Sequence, residues 1–245
     1  MPTDSTAICG MERCIDGYLA SQRGVDDVYS FVMTTWGAIS TIDLDSESYR
    51  WIGALRFTLK GVSEIFWKNH YFARIYWKAA GRGRGRRSGG GDGQREPNDD
   101  EFWWKELPDL KLDGDGDGDG GDSGKAVRRW PSGWRSVEGE FGVLCVTNLQ
   151  WIAEDSMMGG QDFNGWSNTL RLVWSEKTGR VGYAQILLGL ETGTHLEADD
   201  VHYVDVEEVV IEPLRKGPPI DVDGERKPLK PVRVKLLKSD LVVSC

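Results

Sequence analysis

The segment TIDLDSESYRWIGALRF, residues 41–57, sets three acidic side chains (Asp43, Asp45, Glu47) and two arginines (Arg50, Arg56) in an otherwise apolar and aromatic region. This mixture suits two kinds of chemistry at once. A carboxylate accepts hydrogen bonds from an ammonium or a hydroxyl, and a guanidinium presents a fixed donor fork to phosphate oxygens. A site that holds a cationic ligand beside an anionic one needs both. A salt-bridged surface helix produces the same pattern, because Glu47 lies three residues before Arg50, and such a pair contributes only about 0.3 kcal/mol.

The whole chain narrows the choice. With 245 residues, 39% hydrophobic content and 11 tryptophans, it can bury a sizeable core as one domain with an insertion or as two small ones. A net charge of −9 argues against a nucleic-acid partner, since phosphate backbones require clustered positive charge. Any bound anion must rely on local arginines. The four cysteines, Cys9, Cys14, Cys145 and Cys245, form no disulfide framework, and the three histidines make no metal-binding spacing with them. The N-terminal MPTDSTAICGMERCIDGYLA lacks a charged-then-apolar leader pattern, and no apolar run approaches the roughly 20 residues of a membrane span. These features predict a reducing, cytoplasmic setting in which membrane contact is peripheral and depends on recruitment.

Composition divides the chain into three. Residues 28–79 and 126–245 are globular in composition, and residues 80–125 are rich in Gly, Arg and Asp. The tracts GRGRGRRSGGGDGQREPNDD and DGDGDGDGGDSG bury too little apolar area to offset their ordering entropy, so the insertion is expected to be disordered. The run VYSFVMTTWGAISTI is β-branched and aromatic and predicts one or two buried strands ending near Asp43. Asp45 or Ser46 then caps a short helix that stops at Gly53. A further helix carries Leu55, Leu59, Val62 and Phe66 on one face, and YFARIYW alternates as a strand. TLRLVW, HYVDVEEVVIEP and PVRVKLLKSDLVVSC read as strands, the last folding back around Lys238–Asp240. YAQILLGLETGTH predicts a helix with Tyr183, Ile186, Leu187 and Leu190 on one face, ending at Gly193. Strands without strand-helix alternation predict a mainly β fold, an antiparallel β-sandwich with two or three short helices.

TTWGAISTIDLDSESYRWIGALRFTL resembles the sphingosine kinase branch of the diacylglycerol-kinase-like lipid kinases, whose pattern runs WG, a few apolar residues, D-x-D-x-E-S-E-x-x-R, then G-x-x-R-F. LLGLETGTHLEADDVHYVDVEEVVIEP and IDVDGERKP follow in the same order, so the resemblance covers about residues 28–79 and 138–245. It implies the substrate-binding, C-terminal part of a lipid kinase that transfers the γ-phosphate of ATP to the primary hydroxyl of sphingosine or a related sphingoid base. The family's glycine loops and catalytic aspartate precede the WG block, and only 35 residues precede Trp36. The chain is therefore expected to be inactive alone, with ATP and Mg2+ bound only when the missing N-terminal domain is present. The other reading is a lipid-binding module without kinase activity. Residues 1–27 match the family poorly.

The resemblance assigns roles by position. Asp43 matches the carboxylate that contacts the lipid head group. Ile39, Ile42 and Phe57 match positions along the acyl tunnel, joined by Ile186, Leu187, Leu190 and His195. Ala38 stands where a larger residue is usual, which would widen the tunnel. Arg50 and Arg56 match arginines that reach ATP phosphates, with Glu47 placed to orient Arg50. Asp223, Gly224 and Glu225 match the late acidic block, with Asp223 toward the metal and Glu225 toward the nucleotide. Taken singly, the apolar positions read as ordinary core and the D-G pair as a turn between strands.

Two further motifs lie in the insertion. GGDG at residues 90–93 and GGDS at 120–123 imitate a phosphate loop but lack the strand before and helix after that would aim backbone N–H groups. A calcium loop beginning at Asp113 fails because its twelfth position is Gly124, where a bidentate glutamate is required. Arg82, Arg84, Arg86 and Arg87 sit beside acidic residues that screen them. Loop-closure entropy grows slowly with length, so deleting residues 81–100 should leave the thermal unfolding transition nearly unchanged. Loss of cooperative unfolding on that deletion would place the tract inside the folded domain.

Overall fold

The computed structural model describes residues 12–46, 71–80, 133–163, 168–176 and 178–244. Among these residues are ten strands in chain order: β1 (Glu12–Gln22), β2 (Val25–Ser30), β3 (Met33–Gly37), β4 (Tyr71–Ala79), β5 (Trp134–Thr147), β6 (Leu170–Glu176), β7 (Val201–Pro213), β8 (Ile220–Val222), β9 (Glu225–Lys227) and β10 (Val232–Ser244). Helix α1 (Ala38–Ser46) follows β3, and α2 (Arg180–Gly189) with a 3-10 turn at Thr194–Glu197 lies between β6 and β7.

All the strand pairings are antiparallel, and the ladder runs β2-β1-β10-β7-β4-β5-β3-β8-β9 with β6 bridging β5 and β7. The two long strands close it. β5 pairs β4 through Phe141, β3 from Val143 to Thr147, and β6 at Phe141 and again from Leu144 to Thr147. β7 pairs β6 up to Val206 and β4 from there to Pro213. The expected mainly β, antiparallel architecture is thus borne out, with barrel-like closure through β4, β5, β6 and β7. Where β5 changes partners the ladder shifts register between Phe141 and Leu144. The Val143 N–H there donates to Ser175 Oγ at 2.9 Å, so the buried backbone group keeps a partner.

Two apolar clusters fill the interior. The larger gathers Trp36, Tyr71, Ile75, Phe141, Leu144, Leu172, Trp174 and Ile211 among others. The smaller contains Met33, Ile39, Val143, Met158, Val173, Ile186, Leu190 and Val201. Each fully buried Leu, Ile, Val, Phe or Met side chain contributes about 1.5–3 kcal/mol by leaving water.

Several sequence expectations change. AISTI is helical, so Asp43 lies inside α1 and not at a strand end, and Asp45 and Ser46 are its last residues and not the cap of a later helix. The reason is Gly37. Its φ of +91° turns the chain out of the sheet into a conformation that favours glycine, and a Cβ there would stand 3.2 Å from the Gly142 carbonyl oxygen. The polar members of the run find partners in the helix, Thr41 Oγ1 donating to the Gly37 carbonyl at 3.1 Å and Ser40 Oγ to that of Pro219 at 2.7 Å. Tertiary contacts override the β-propensity of the run.

β10 does not fold back on itself. It is one strand along β1, with Gly17 opposite Leu237 and Ile15 opposite Leu241, so residues 238–240 form a bulge against Asp16. A long partner strand was available, which made a local reversal unnecessary. The Asp16 carboxylate anchors the bulge by accepting the Asn168 N–H at 2.9 Å. β1 and β2 thereby join residues 12–30 to the same sheet as the regions that carry the resemblance. α2 begins at Arg180, earlier than the apolar spacing indicated, and its regular turns end at Gly189. The helices expected at 47–53 and 55–66 and the insertion lie outside the described residues.

Gly37→Ala should cost about 1–3 kcal/mol, because a left-handed backbone and a carbonyl contact oppose the methyl. Urea unfolding measures it, and a loss below about 0.5 kcal/mol would mean the junction relaxes freely.

Candidate functional site

The site grows from the β3–α1 junction and the β8–β9 turn. Trp36 is fully buried, donates Nε1–H to the Pro218 carbonyl at 2.9 Å and meets the Tyr71 ring edge-on at 5.8 Å. This fixes the segment leading into β8 against the start of α1. β8 then pairs β3, setting Asp221 opposite Thr35 and Val222 opposite Thr34.

Two aspartates of that turn do different work. Asp223 has a φ of +50°, and its carboxylate accepts the backbone N–H groups of Phe31, Val32 and Met33 at 3.3, 3.3 and 2.8 Å. It holds the β2–β3 connection, whose two strands pair with other strands and not with each other. Asp221 is fully buried, accepts Thr35 Oγ1–H at 3.2 Å and the Gly224 N–H at 2.9 Å, and hydrogen-bonds the carboxyl of Asp43. Burial first, and then the charge of Asp43, push the Asp221 carboxyl up to about 8. With Asp221 protonated, the two acids form a pair sharing one proton, since like charges at hydrogen-bond distance cannot both ionise cheaply.

Asp43 is half-buried on α1, and its Oδ2 stands 3.9 Å from where a Cβ on Gly224 would be. The structure brings Asp43, Asp223 and Gly224 into one corner. It adds Asp221, which the sequence reading missed. Its signal was a carboxylate between Ile220 and Val222 in a short apolar strand, where a charged residue needs a reason. Glu225 faces solvent, and Lys227 at 2.8 Å holds its carboxyl below the ordinary range.

Of the apolar residues, Ile39, Ile186 and Leu190 share the smaller cluster, with Leu187 half-buried at its edge. Ile42 is buried on α1 and belongs to neither cluster, and Ala38 packs in the larger one. His195 is buried on the 3-10 turn after α2. The loop behind it is tied to α2 by Met157 N–H donating to the Leu190 carbonyl at 2.7 Å. A buried guanidinium anchors that loop to the sheet. Arg171 bonds the Gly159 carbonyl at 2.7 Å, Asp162 at 2.6 Å and Asp205 at 2.9 Å, between the rings of Phe163 and Tyr203. Phe57, Glu47, Arg50 and Arg56 lie outside the described residues. Among the described residues no group of three His, Cys, Asp or Glu side chains could hold a metal ion, and no helix is long and apolar enough to cross a membrane.

The fold is that of the diacylglycerol-kinase-like lipid kinases. Two solved structures assigned to diacylglycerol kinases from Bacillus anthracis str. Sterne superpose with TM-scores of 0.51 and 0.50 at 13% and 14% identity, each covering 94% of this chain and 56% and 55% of theirs. In sequence the chain is similar to Sphingosine kinase 1 and Sphingosine kinase 2 of Arabidopsis thaliana, 26% identical over 226 residues and 25% over 227. Each match takes in 89% of this chain and 43% of the relative, so the chain spans less than half the length of the curated relatives it matches. No protein-family model matches it. The resemblance carried by the WG and D-x-D blocks is borne out by these relatives.

The acid pair has a consequence for stability. A carboxyl raised in the folded state favours folding at pH values where it stays protonated, and that contribution is lost as pH rises toward the folded value. Between the ordinary carboxylate range near pH 4 and about 8, wild-type stability should therefore fall by up to ~1.4 kcal/mol per pH unit from this group. Asp221→Asn, which cannot ionise and keeps an acceptor for the Gly224 N–H, should flatten that slope. Parallel profiles for the two proteins in urea unfolding from pH 5 to 8 would show that the pair does not share a proton.

Proposed function

We propose that this chain is the lipid-holding, C-terminal part of an ATP-dependent kinase that phosphorylates the primary hydroxyl of sphingosine or a related sphingoid base. The observation that carries the reading is Asp43: a half-buried carboxylate, aligned with the family's head-group contact, on a helix whose neighbouring Ile39 enters the same apolar cluster as Ile186 and Leu190. An amphiphile with a cationic head and a long tail matches that sequence of surfaces. The protonated amine and hydroxyls meet Asp43, and the tail follows Ile39, Ile42, Ile186, Leu187 and Leu190, with His195 completing the wall and Phe57 assigned to it by the resemblance alone.

ATP and Mg2+ belong to the proposal through the remaining residues. Mg2+ is commonly held by one or two carboxylates together with substrate phosphates and water. Glu225, exposed at the turn, has a carboxylate to offer. The Asp223 oxygens already receive three backbone N–H groups, so Asp223 would serve metal binding by shaping the turn and lending a remaining lone pair. Arg50 and Arg56 would stabilise the phosphates electrostatically during transfer. The rest of the nucleotide site would come from a second domain, as the length of the relatives suggests. Transient contact with a membrane, where such a lipid resides, follows from the substrate.

The roles separate by mutation. Asp43→Asn should weaken sphingosine binding to this chain by about 1.5–3 kcal/mol, the range for a hydrogen bond to a charged group. Arg50→Ala and Arg56→Ala should leave that affinity alone and reduce phosphoryl transfer only when a family nucleotide domain is supplied. Equal loss of lipid affinity in all three folded variants would return the stretch to a salt-bridged helix. Lipid binding without product in the reconstituted mixture would favour a non-catalytic module.

A further inference from the structure

Asp221 approaches Asp43 from β8, a strand fixed to β3 by the pairs Thr34–Val222 and Thr35–Asp221. Its carboxyl accepts Thr35 Oγ1–H at 3.2 Å and the Gly224 N–H at 2.9 Å. Both Thr35 and Asp221 are fully buried. A carboxyl anchored by two donors in a close-packed interior has little freedom to turn. It is this immobile group that hydrogen-bonds Asp43. The other acids of the turn are committed elsewhere, Asp223 to the N–H groups of Phe31, Val32 and Met33 and Glu225 to Lys227 at 2.8 Å.

Two carboxyls hydrogen-bond to each other only when one of them carries a proton. Desolvation penalises the charged form most where burial is deepest, so the proton resides on Asp221, which is fully enclosed, and the charge on Asp43, which is half-buried. A protonated Asp221 has one O–H to donate and lone pairs left for Thr35 and Gly224. Asp43 is thereby supplied with a fixed donor. The terminal torsion of an aspartate is otherwise broad, whereas hydrogen bonds to a charged acceptor depend on direction.

We propose that Asp221 is a positioning residue for ligand selection: by holding the Asp43 carboxylate in one orientation, it makes the site prefer a lipid with a free ammonium over the same lipid with its amine blocked. The identity of the ligand rests on the function proposed above; the positioning rests on the hydrogen bonds of Asp221. Asp221 does not touch the lipid, and Thr35 and Gly224 act one step further back by fixing Asp221. Every effect of the turn on selection therefore passes through Asp43.

The test measures binding of sphingosine and of N-acetylsphingosine, whose nitrogen is uncharged, to the full chain in detergent micelles by isothermal titration. The ratio of the two affinities reads the ammonium contact, whereas general damage to the fold lowers both affinities together. Asp221→Ala should lower that ratio about tenfold, the scale of one hydrogen bond to a charged group. Asp221→Asn, whose amide can donate to Asp43 and accept from Gly224, should recover most of it. Thr35→Val removes one anchor of Asp221 without touching Asp43, so it should shift the ratio the same way by a smaller factor, and it carries the test if Asp221→Ala does not fold. In Asp43→Asn the ratio should already be low, and adding Asp221→Ala should change it no further. A wild-type ratio in whichever of Asp221→Ala and Thr35→Val folds, with the ratio lost in Asp43→Asn, would overturn the positioning role and leave the Asp43 reading standing. A wild-type ratio in Asp43→Asn would overturn that reading and this inference with it. Failure of Asp221→Asn to recover the ratio, or a further loss on adding Asp221→Ala to Asp43→Asn, would overturn action through a hydrogen bond to Asp43.

Discussion

The short turn after β8 ties the late part of the chain to its early part, and the rest of the candidate site depends on that tie. Through Asp223 it collects three backbone N–H groups of the β2–β3 turn, and through Asp221 it meets Thr35 and Asp43. These contacts span about 190 residues of sequence. Hydrogen bonds to a charged acceptor are among the stronger ones available to a protein. Gathering several on one turn sets where β3 ends, and therefore where α1 begins.

From that junction the two interior surfaces follow. Trp36 and Ala38 face the larger cluster while Ile39 faces the smaller, so consecutive residues of one short stretch serve both. Closure through β4, β5, β6 and β7 then brings β6 and the helix that follows it to the same side as α1. Residues far apart in sequence, Ile39 and Ile186, become neighbours by this route. Packing at that depth tolerates little change of volume, because protein interiors are as dense as organic crystals.

Charge in this molecule is held in two contrasting ways. Arg171 is buried but satisfied, bonded to two carboxylates and a carbonyl between two aromatic faces. Asp221 is buried beside a second acid, with the Thr35 hydroxyl and the Gly224 N–H donating to it. Fully paired buried charges fasten structure, whereas incompletely paired ones carry a cost that a ligand or a proton can relieve. Asp221 lies beside Asp43, which the family resemblance singles out.

Much was legible in the sequence alone. Alternation and β-branched content identified β4, β6 and β7, and apolar spacing identified the middle of α2, because those signals arise from one face being buried. The WG and D-x-D blocks carried the resemblance to lipid kinases that the similar proteins share, and the chemistry of their side chains implied a cation site beside an anion site. The tertiary structure decided what local patterns could not. AISTI has strand propensity yet forms α1, since a left-handed Gly37 and the carbonyl of Pro219 on a distant segment outweigh preferences of a few tenths of a kcal/mol. The KSD triplet resembles a hairpin turn yet bulges, since β1 offered a continuous partner. Asp221 looked like one more polar residue in a strand, and only folding placed it against Asp43. A carboxylate's neighbours across 178 positions of sequence, from Asp43 to Asp221, are set by closure of the sheet, and no local spacing encodes them.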